Sequence, residues 1–203
     1  MTKPVDEFHE IADGLYCWQA YDSSVKVDLF STALRTGGGL VFIDPIPLAD
    51  EPLARITDGQ APLAIILTNA NHERAAAAYR DRFAAPIWAH ADAAEDLSLT
   101  VDRRLEDGAA GLGDLQIIHL PGAAAGEIAV YSPRGGGMLM MGDALIHLEP
   151  LGFALLPAKY CAKPKLARVS VQKLLHFSFD LMTFAHGMPI IARARQRLQE
   201  LFP

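Results

Sequence analysis

The chain has 203 residues, of which 51% are hydrophobic, so it is long enough to bury a substantial core. Its charge is mildly acidic, with 18 Lys and Arg against 24 Asp and Glu, and no basic stretch carries interleaved aromatic residues. These properties argue against nucleic-acid binding and favour a single domain over residues 1–203.

The N-terminal residues contain no apolar segment typical of a secretion signal, and no later stretch approaches the ~18 consecutive apolar residues of a membrane span. We therefore expect a cytoplasmic protein with no membrane contact. Cys17 and Cys161 are far apart and lie in no metal-binding spacing. We expect both to be reduced packing residues, although sequence alone leaves a disulfide between them open.

Short apolar runs and turn residues divide the chain into predicted elements. Hairpin-linked strands are predicted at residues 15–19, 25–35 and 40–43. From residue 44 onwards, apolar runs alternate with stretches of helical period. These predict strands at 63–67, 86–90, 115–118, 128–131, 138–141 and 181–185, helices at 72–83, 91–97 and 165–177, and a final helix with Pro189 in its first turn. The expected fold is α/β, a four-layer αββα sandwich of two mixed β-sheets flanked by helices.

Polar residues follow the predicted strands directly, where loops can carry chemistry on a rigid sheet. They are Asp44, Thr68-Asn69, Pro121-Gly122, Gly142-Asp143 and His186-Gly187. We expect these five strand ends to meet at one rim.

These motifs resemble those of the metallo-β-lactamase superfamily of hydrolases, from about residue 11 to residue 202. That family has an early strand ending in Asp, then T-H-x-H-x-D-H, P-G-H-T-x-G, a strand into G-D, and a late strand into a G-H-G-like triplet. The corresponding segments here are Val41-Phe-Ile-Asp44, Thr68-Asn-Ala-Asn-His-Glu-Arg74, Pro121-Gly-Ala-Ala-Ala-Gly126, Gly142-Asp143 and Ala185-His-Gly187.

The resemblance keeps the frame but replaces most metal ligands. The first two family histidines fall on Asn69 and Asn71, and the histidine of the Pro-Gly turn falls on Ala123. The family aspartate falls on Glu73, and the next histidine falls on Arg74. The only outright matches to ligand positions are Asp143 and His186, which are the candidate catalytic residues.

Zinc needs imidazole, thiolate or carboxylate ligands, and a catalytic site generally supplies three of them. Amides are poor substitutes, and Arg74 would place a permanent positive charge where a dication would lie. We therefore expect no tightly bound metal cofactor, and at most weak binding of zinc or another divalent ion. Arg74 is expected to replace the metal as the cation and to pair with Asp143 or Glu73.

Several candidates also have plainer interpretations. Asn71 could equally cap the following helix, and Glu73 suits the first turn of that helix. His72 falls at a variable position of the family motif, so we expect it to be exposed. Asp44 is interpreted as structural, and the remaining histidines as packing or surface residues. These are His9, His90, His119, His147 and His176.

Three functional hypotheses follow. The first is a metal-free, non-hydrolytic relative that binds a small molecule or a partner, or has a regulatory or structural role. The second is a hydrolase for esters, lactones, thioesters or phosphoesters with a reduced mononuclear site of Asp143, His186 and Glu73, helped by His72 or His119. The third is metal-free catalysis by a His186/Asp143 base, with Arg74 binding a small anionic substrate.

Overall fold

The computed structural model describes residues 3–109 and 113–202. Within these residues, the first β-sheet is mixed, with antiparallel pairing up to β4 and parallel pairing beyond it. Its seven strands, in spatial order, are β1 (His9–Ala12), β2 (Leu15–Asp22), β3 (Val27–Thr36), β4 (Gly39–Ile43), β5 (Ala64–Leu67), β6 (Ile87–His90) and β7 (Arg103–Leu105).

The second sheet is also mixed and contains four strands among the described residues. They are β8 (Gln116–His119), β9 (Ile128–Ser132), β10 (Met138–Met141) and β13 (Leu181–Phe184). Their spatial order is β13-β10-β9-β8, and the β10–β13 pair is parallel. A separate hairpin consists of β11 (Leu145–Leu148) and β12 (Gly152–Leu155).

Three apolar clusters hold the layers together. The helices are α1 (Asp50–Thr57), α2 (Ala76–Phe83), α3 (Ala91–Ala94), α4 (Pro164–Val171) and α5 (Ala194–Glu200). One cluster lies between the sheets, where Val41 and Ile66 of the first sheet join Val130 and Met140 of the second. The other clusters contain residues of α1 and α2 on the first sheet and of α4 and α5 on the second. The predicted αββα order of two mixed sheets is therefore confirmed.

The structure differs from the predicted elements at the starts of two helices and in several short elements that were not predicted. Helix α2 begins at Ala76 rather than at residue 72, and its N-cap residue is Ala75, so Asn71 does not cap it. Pro189 precedes α5 by several residues instead of lying in its first turn. The prediction also missed β1, β7, α1 and the β11–β12 hairpin. Among the described residues, no helix is both long and apolar enough to cross a bilayer.

Gly187 sets the backbone turn that follows His186. Its φ is +114°, and a Cβ atom there would lie 1.9 Å from the carbonyl oxygen of His147. Since side chains rarely adopt this conformation and the neighbouring atom belongs to the backbone, only glycine fits without displacement of the chain.

We expect Gly187→Ala to lower the free energy of unfolding by about 2 to 5 kcal/mol through backbone strain and overpacking. Gly37→Ala is the matched control, because its Cβ would meet no atom within 4 Å. That variant should remain within about 0.5 kcal/mol of the parent. Urea unfolding monitored by circular dichroism measures both, and equal stabilities would contradict the assigned role of Gly187.

Candidate functional site

A buried carboxylate lies directly after β4. Asp44 accepts hydrogen bonds from the backbone N–H and the hydroxyl group of Thr68, at 2.8 and 2.5 Å. Its Oδ2 atom also lies 2.8 Å from Nδ1 of His72. Because an ionised carboxylate can only accept, Nδ1 of His72 carries the proton of this hydrogen bond. Asp44 thus joins the ends of β4 and β5 and orients the His72 ring.

His72 meets Asp143 and His186 at the rim of the sheets, and we call these three residues the His72 cluster. The Nε2 atoms of His72 and His186 each lie 3.2 Å from Oδ1 of Asp143. His72 is only 3% exposed, so the expectation of an exposed side chain is wrong. The late start of α2 explains the error, because residue 72 lies in the loop and its ring can turn inwards.

The two imidazole rings present their acceptor atoms to this carboxylate. Nδ1 of His186 lies 3.3 Å from the carbonyl oxygen of Asp28, which can only accept, so this nitrogen is the donor. In the neutral rings, the Nε2 lone pairs of His72 and His186 would therefore face Oδ1 of Asp143. Three electron-rich atoms in this arrangement require a cation between them, either a proton or a metal ion.

The His72 cluster fits a divalent metal by distance and by ligand type. Neighbouring donors around tetrahedral zinc, with bonds of about 2.0 to 2.1 Å, are about 3.3 to 3.4 Å apart. The two 3.2 Å distances from Asp143 are close to this value. Oδ1 of Asp143 is also buried without a hydrogen-bond partner among the described residues. Two imidazoles and a carboxylate, with Asp44 behind one imidazole, are typical of catalytic metal sites.

Charges in the site shift several pKa values. Burial opposes a charge on His72, but Asp143 and Asp44 outweigh it and raise the pKa of His72 to about 9. Burial likewise disfavours the Asp143 carboxylate, yet His72 and His186 hold its pKa well below the ordinary value. Without a metal ion, the proton on His72 therefore supplies the positive charge that the cluster needs.

Asn69 and Glu127 form a polar layer behind Asp143. The amide nitrogen of Asn69 donates to Oε2 of Glu127 at 2.8 Å and to Oδ2 of Asp143 at 3.2 Å. The backbone N–H of Ala144 donates to Oε1 of Glu127. Burial, followed by the charge of Asp143, raises the pKa of Glu127 to about 8. The sequence analysis did not identify Glu127 as a site residue, although an acidic residue directly before an apolar strand was a usable signal.

Arg74 does not pair with Asp143 or Glu73, so that expectation is wrong. Its guanidinium donates instead to the carbonyl oxygens of Phe30, Asp44 and Ala185, at 2.6 to 3.3 Å. Asp143 still lies near enough for its charge to act on Arg74. The carboxylate of Glu73 accepts hydrogen bonds from the backbone N–H and the hydroxyl group of Ser98. Glu73 is therefore directed away from the His72 cluster.

A cleft of about 410 Å³ is lined in part by Ala70 and Asn71, which lie between Asn69 and His72 in the sequence. Five of its lining residues are alanines, among them Ala123, and Asn71 and Cys161 also line it. Both cysteines are free thiols, Cys17 buried and Cys161 partly so. Burial, then the charges of Glu127 and Asp143, raise the pKa of Cys161.

The remaining histidines lie outside the His72 cluster. His147 lies 2.7 Å, through Nδ1, from the carbonyl oxygen of Met188, and His176 is exposed on the segment after α4. His9 lies exposed in β1. His90 is the last residue of β6 and His119 is the last residue of β8, and their rings stack on each other.

The layered fold, with a buried His/Asp cluster at the rim of its two sheets, defines an αββα sandwich protein. The sequence model described as "Metallo-beta-lactamase superfamily" matches residues 10–203, and the chain belongs to this superfamily. A comparison with curated proteins found no match.

Solved structures agree with this assignment. TTHA1623, solved in a di-iron-bound form, is 28% identical, with a TM-score of 0.65 over 85% of this chain and 93% of that one. The metallo-β-lactamase of Pontibacter korlensis is 18% identical, with a TM-score of 0.73 over 95% and 98% of the two chains. The DIM-1 metallo-β-lactamase is 15% identical, with a TM-score of 0.75 over 98% and 97%. The last two likenesses concern the fold alone.

The raised pKa of His72 predicts a pH-dependent stability of the chelator-treated protein. The stabilisation from His72 is fully present below its ordinary pKa of 6.5 and is lost as the pH rises through about 9. In the parent protein, His72 should lower the free energy of unfolding by about 3 kcal/mol as the pH rises from 6.5 to about 9. We expect this decrease to be absent from His72→Gln. A separate decrease in the free energy of unfolding, caused by the raised pKa of Glu127 between pH 4.5 and about 8, should remain in the variant. Urea unfolding at several pH values measures the effect, and an unchanged profile in a folded variant would count against it.

The three carbonyl contacts of Arg74 predict a structural role for this side chain. We expect Arg74→Met to destabilise the protein by about 2 to 5 kcal/mol, since it leaves part-buried carbonyl oxygens without their charged donor. Arg74→Lys keeps the charge but cannot reach all three oxygens, so it should fall between the parent and the Met variant. Equal stability of the parent and Arg74→Met in urea would refute this role.

Proposed function

We propose that the chain is a hydrolase whose single divalent metal ion is bound by His72, Asp143 and His186. The observation that carries the proposal is the approach of two imidazole Nε2 atoms to the same buried carboxylate oxygen, at 3.2 Å each. The metal-free role expected from the sequence rested on counting the family's ligand positions. His72 supplies a third donor from a position that the family motif leaves variable.

The donor set suits a divalent first-row metal ion such as zinc, iron(II) or manganese(II). Two imidazoles and one carboxylate fill three positions, and a tetrahedral or larger coordination sphere leaves room for water or substrate. Such an ion supplies Lewis-acid polarisation of the bond under attack and a water nucleophile near neutral pH. The di-iron-bound form of TTHA1623 supports a metal-dependent chemistry on this fold.

Residues of the chain prepare this centre. Asp44 holds Nδ1 of His72, and the carbonyl of Asp28 holds Nδ1 of His186, so both Nε2 atoms face the same point. Asn69 and the backbone of Ala144 hold Asp143 and Glu127 in place. The role of Asn69 is therefore to orient a carboxylate, since its amide already donates to both acids.

The cleft next to the centre admits a small substrate. Its alanine-rich wall leaves open space at Ala123, where the family has a histidine ligand. Lys159 and Asp96 both line this space, so the cleft has no strong preference for charge. The substrate classes that fit are those with one activated acyl or phosphoryl bond: esters, lactones, thioesters and phosphoesters.

The proposal is tested with protein stripped by chelator and reloaded with one equivalent of zinc, iron(II) or manganese. Nitrophenyl esters, lactones, thioesters and bis(nitrophenyl) phosphate are the probes. We expect turnover that requires metal, is lost in chelator and returns on reloading. His72→Gln should lower metal affinity about 10- to 100-fold or more and reduce turnover in parallel.

His176→Gln is the matched control, because it removes an exposed imidazole outside the cluster and should leave affinity and turnover unchanged. Turnover that persists in chelator would favour a metal-free base of His186 and Asp143 instead. A folded His72→Gln variant with the affinity of the parent would exclude His72 as a ligand.

A further inference from the structure

A second group of metal-ligand side chains lies apart from the His72 cluster. It consists of His90, Asp92 and His119, which we call the His119 cluster. His90 ends β6, Asp92 lies in α3, and His119 ends β8, so the group joins the first sheet to the second. It shares no residue with the His72 cluster.

The three donor atoms lie close to one another. Oδ2 of Asp92 is 3.7 Å from Nδ1 of His90 and 3.7 Å from Nε2 of His119. The imidazole rings are stacked, with centroids 3.8 Å apart and an interplanar angle of 19°. Two charged rings would repel each other at this separation, so at least one ring is neutral and offers a lone pair.

The protonation state of His90 is fixed by the backbone. Asp92 donates its N–H to Nδ1 of His90 at 3.1 Å, so this nitrogen carries no proton. An unprotonated imidazole nitrogen is the form that binds a metal. A bound ion would take the place of this hydrogen bond.

The backbone around the cluster is held firmly, and the three ligand side chains differ in their exposure to solvent. The N–H of His119 donates to Asp107, and Lys173 donates to the carbonyl oxygen of His119. A Cβ atom at Gly126 would collide with Ala93, so α3 is packed closely against the loop before β9. The side chain of Asp92 is 65% exposed, whereas those of His90 and His119 are 9% and 20% exposed. A solvent-borne ion can therefore reach the carboxylate.

We propose that His90, Asp92 and His119 bind a transition-metal dication, zinc above all, at a second site. Two imidazole nitrogens select zinc and its neighbours over magnesium or calcium, which prefer oxygen ligands. Tetrahedral donors around zinc are about 3.3 to 3.4 Å apart, so the 3.7 Å distances must shorten by about 0.4 Å. Rotation of the exposed Asp92 side chain can supply this movement. The His119 ring, which is 20% exposed, must also turn out of its stack with His90, so that the nitrogen lone pairs of both rings point at the ion.

The site is tested in a chain that lacks the first site, so that the result does not depend on the proposed function. In His72→Gln/His186→Gln, isothermal titration with zinc should still detect one bound equivalent, and zinc should raise the melting temperature. Adding His119→Gln should lower the affinity at least about tenfold and remove the increase in melting temperature. Adding His176→Gln instead should change neither quantity.

Asp92→Asn provides a second test that does not depend on a buried position. It keeps the backbone N–H of residue 92 that the His90 side chain caps, so the variant should fold, yet it weakens the ligand and should lower zinc affinity about tenfold. Calcium and magnesium should not compete. Zinc binding unchanged by both His119→Gln and Asp92→Asn, or no zinc binding in the His72→Gln/His186→Gln chain, would overturn the proposal.

Discussion

The buried carboxylate of Asp44 accepts two hydrogen bonds from Thr68 and one from His72. A buried carboxylate is costly unless such donors surround it, and here the donors come from the end of β5 and the loop after it. The same bonds decide where the His72 ring points, because its Nδ1 atom is committed to Asp44. Everything proposed for the His72 cluster depends on this orientation, since it leaves Nε2 facing Asp143.

The substitutions at the family's ligand positions make physical sense as a group. Asn69 cannot replace an imidazole as a ligand, but its amide donates to Glu127 and Asp143 together. Ala123 leaves space on the cleft, and Asn71 lines the same cleft. Where the family has histidine ligands, this chain thus has a hydrogen-bonded amide and residues that line an open cleft. Asp143 and His186 still match the family's ligand positions. His72 adds a third possible ligand atom beside these two residues.

The layers and the meeting of the strand ends could be predicted, because apolar periodicity and polar strand ends are properties of the residues themselves. The position of His72 could not. It depends on a loop that includes Arg74 at φ +42°, a conformation rare for a side chain of this size, and on the delayed start of α2. A motif alignment assumes the usual backbone, so it assigned His72 to an exposed position and directed Glu73 inwards. Glu127 escaped notice because its role depends on Asn69, a residue distant in sequence.

Arg74 also bears on the number of metal ions that the rim can hold. Its guanidinium is fixed by the carbonyl oxygens of Phe30, Asp44 and Ala185, and it acts electrostatically on Asp143. A first dication at the His72 cluster would replace the proton on His72, so the net charge there would rise only modestly. A second dication beside Asp143 would have to overcome both the first ion and a guanidinium that cannot lose its proton at neutral pH. A mononuclear centre is therefore the arrangement that these charges favour.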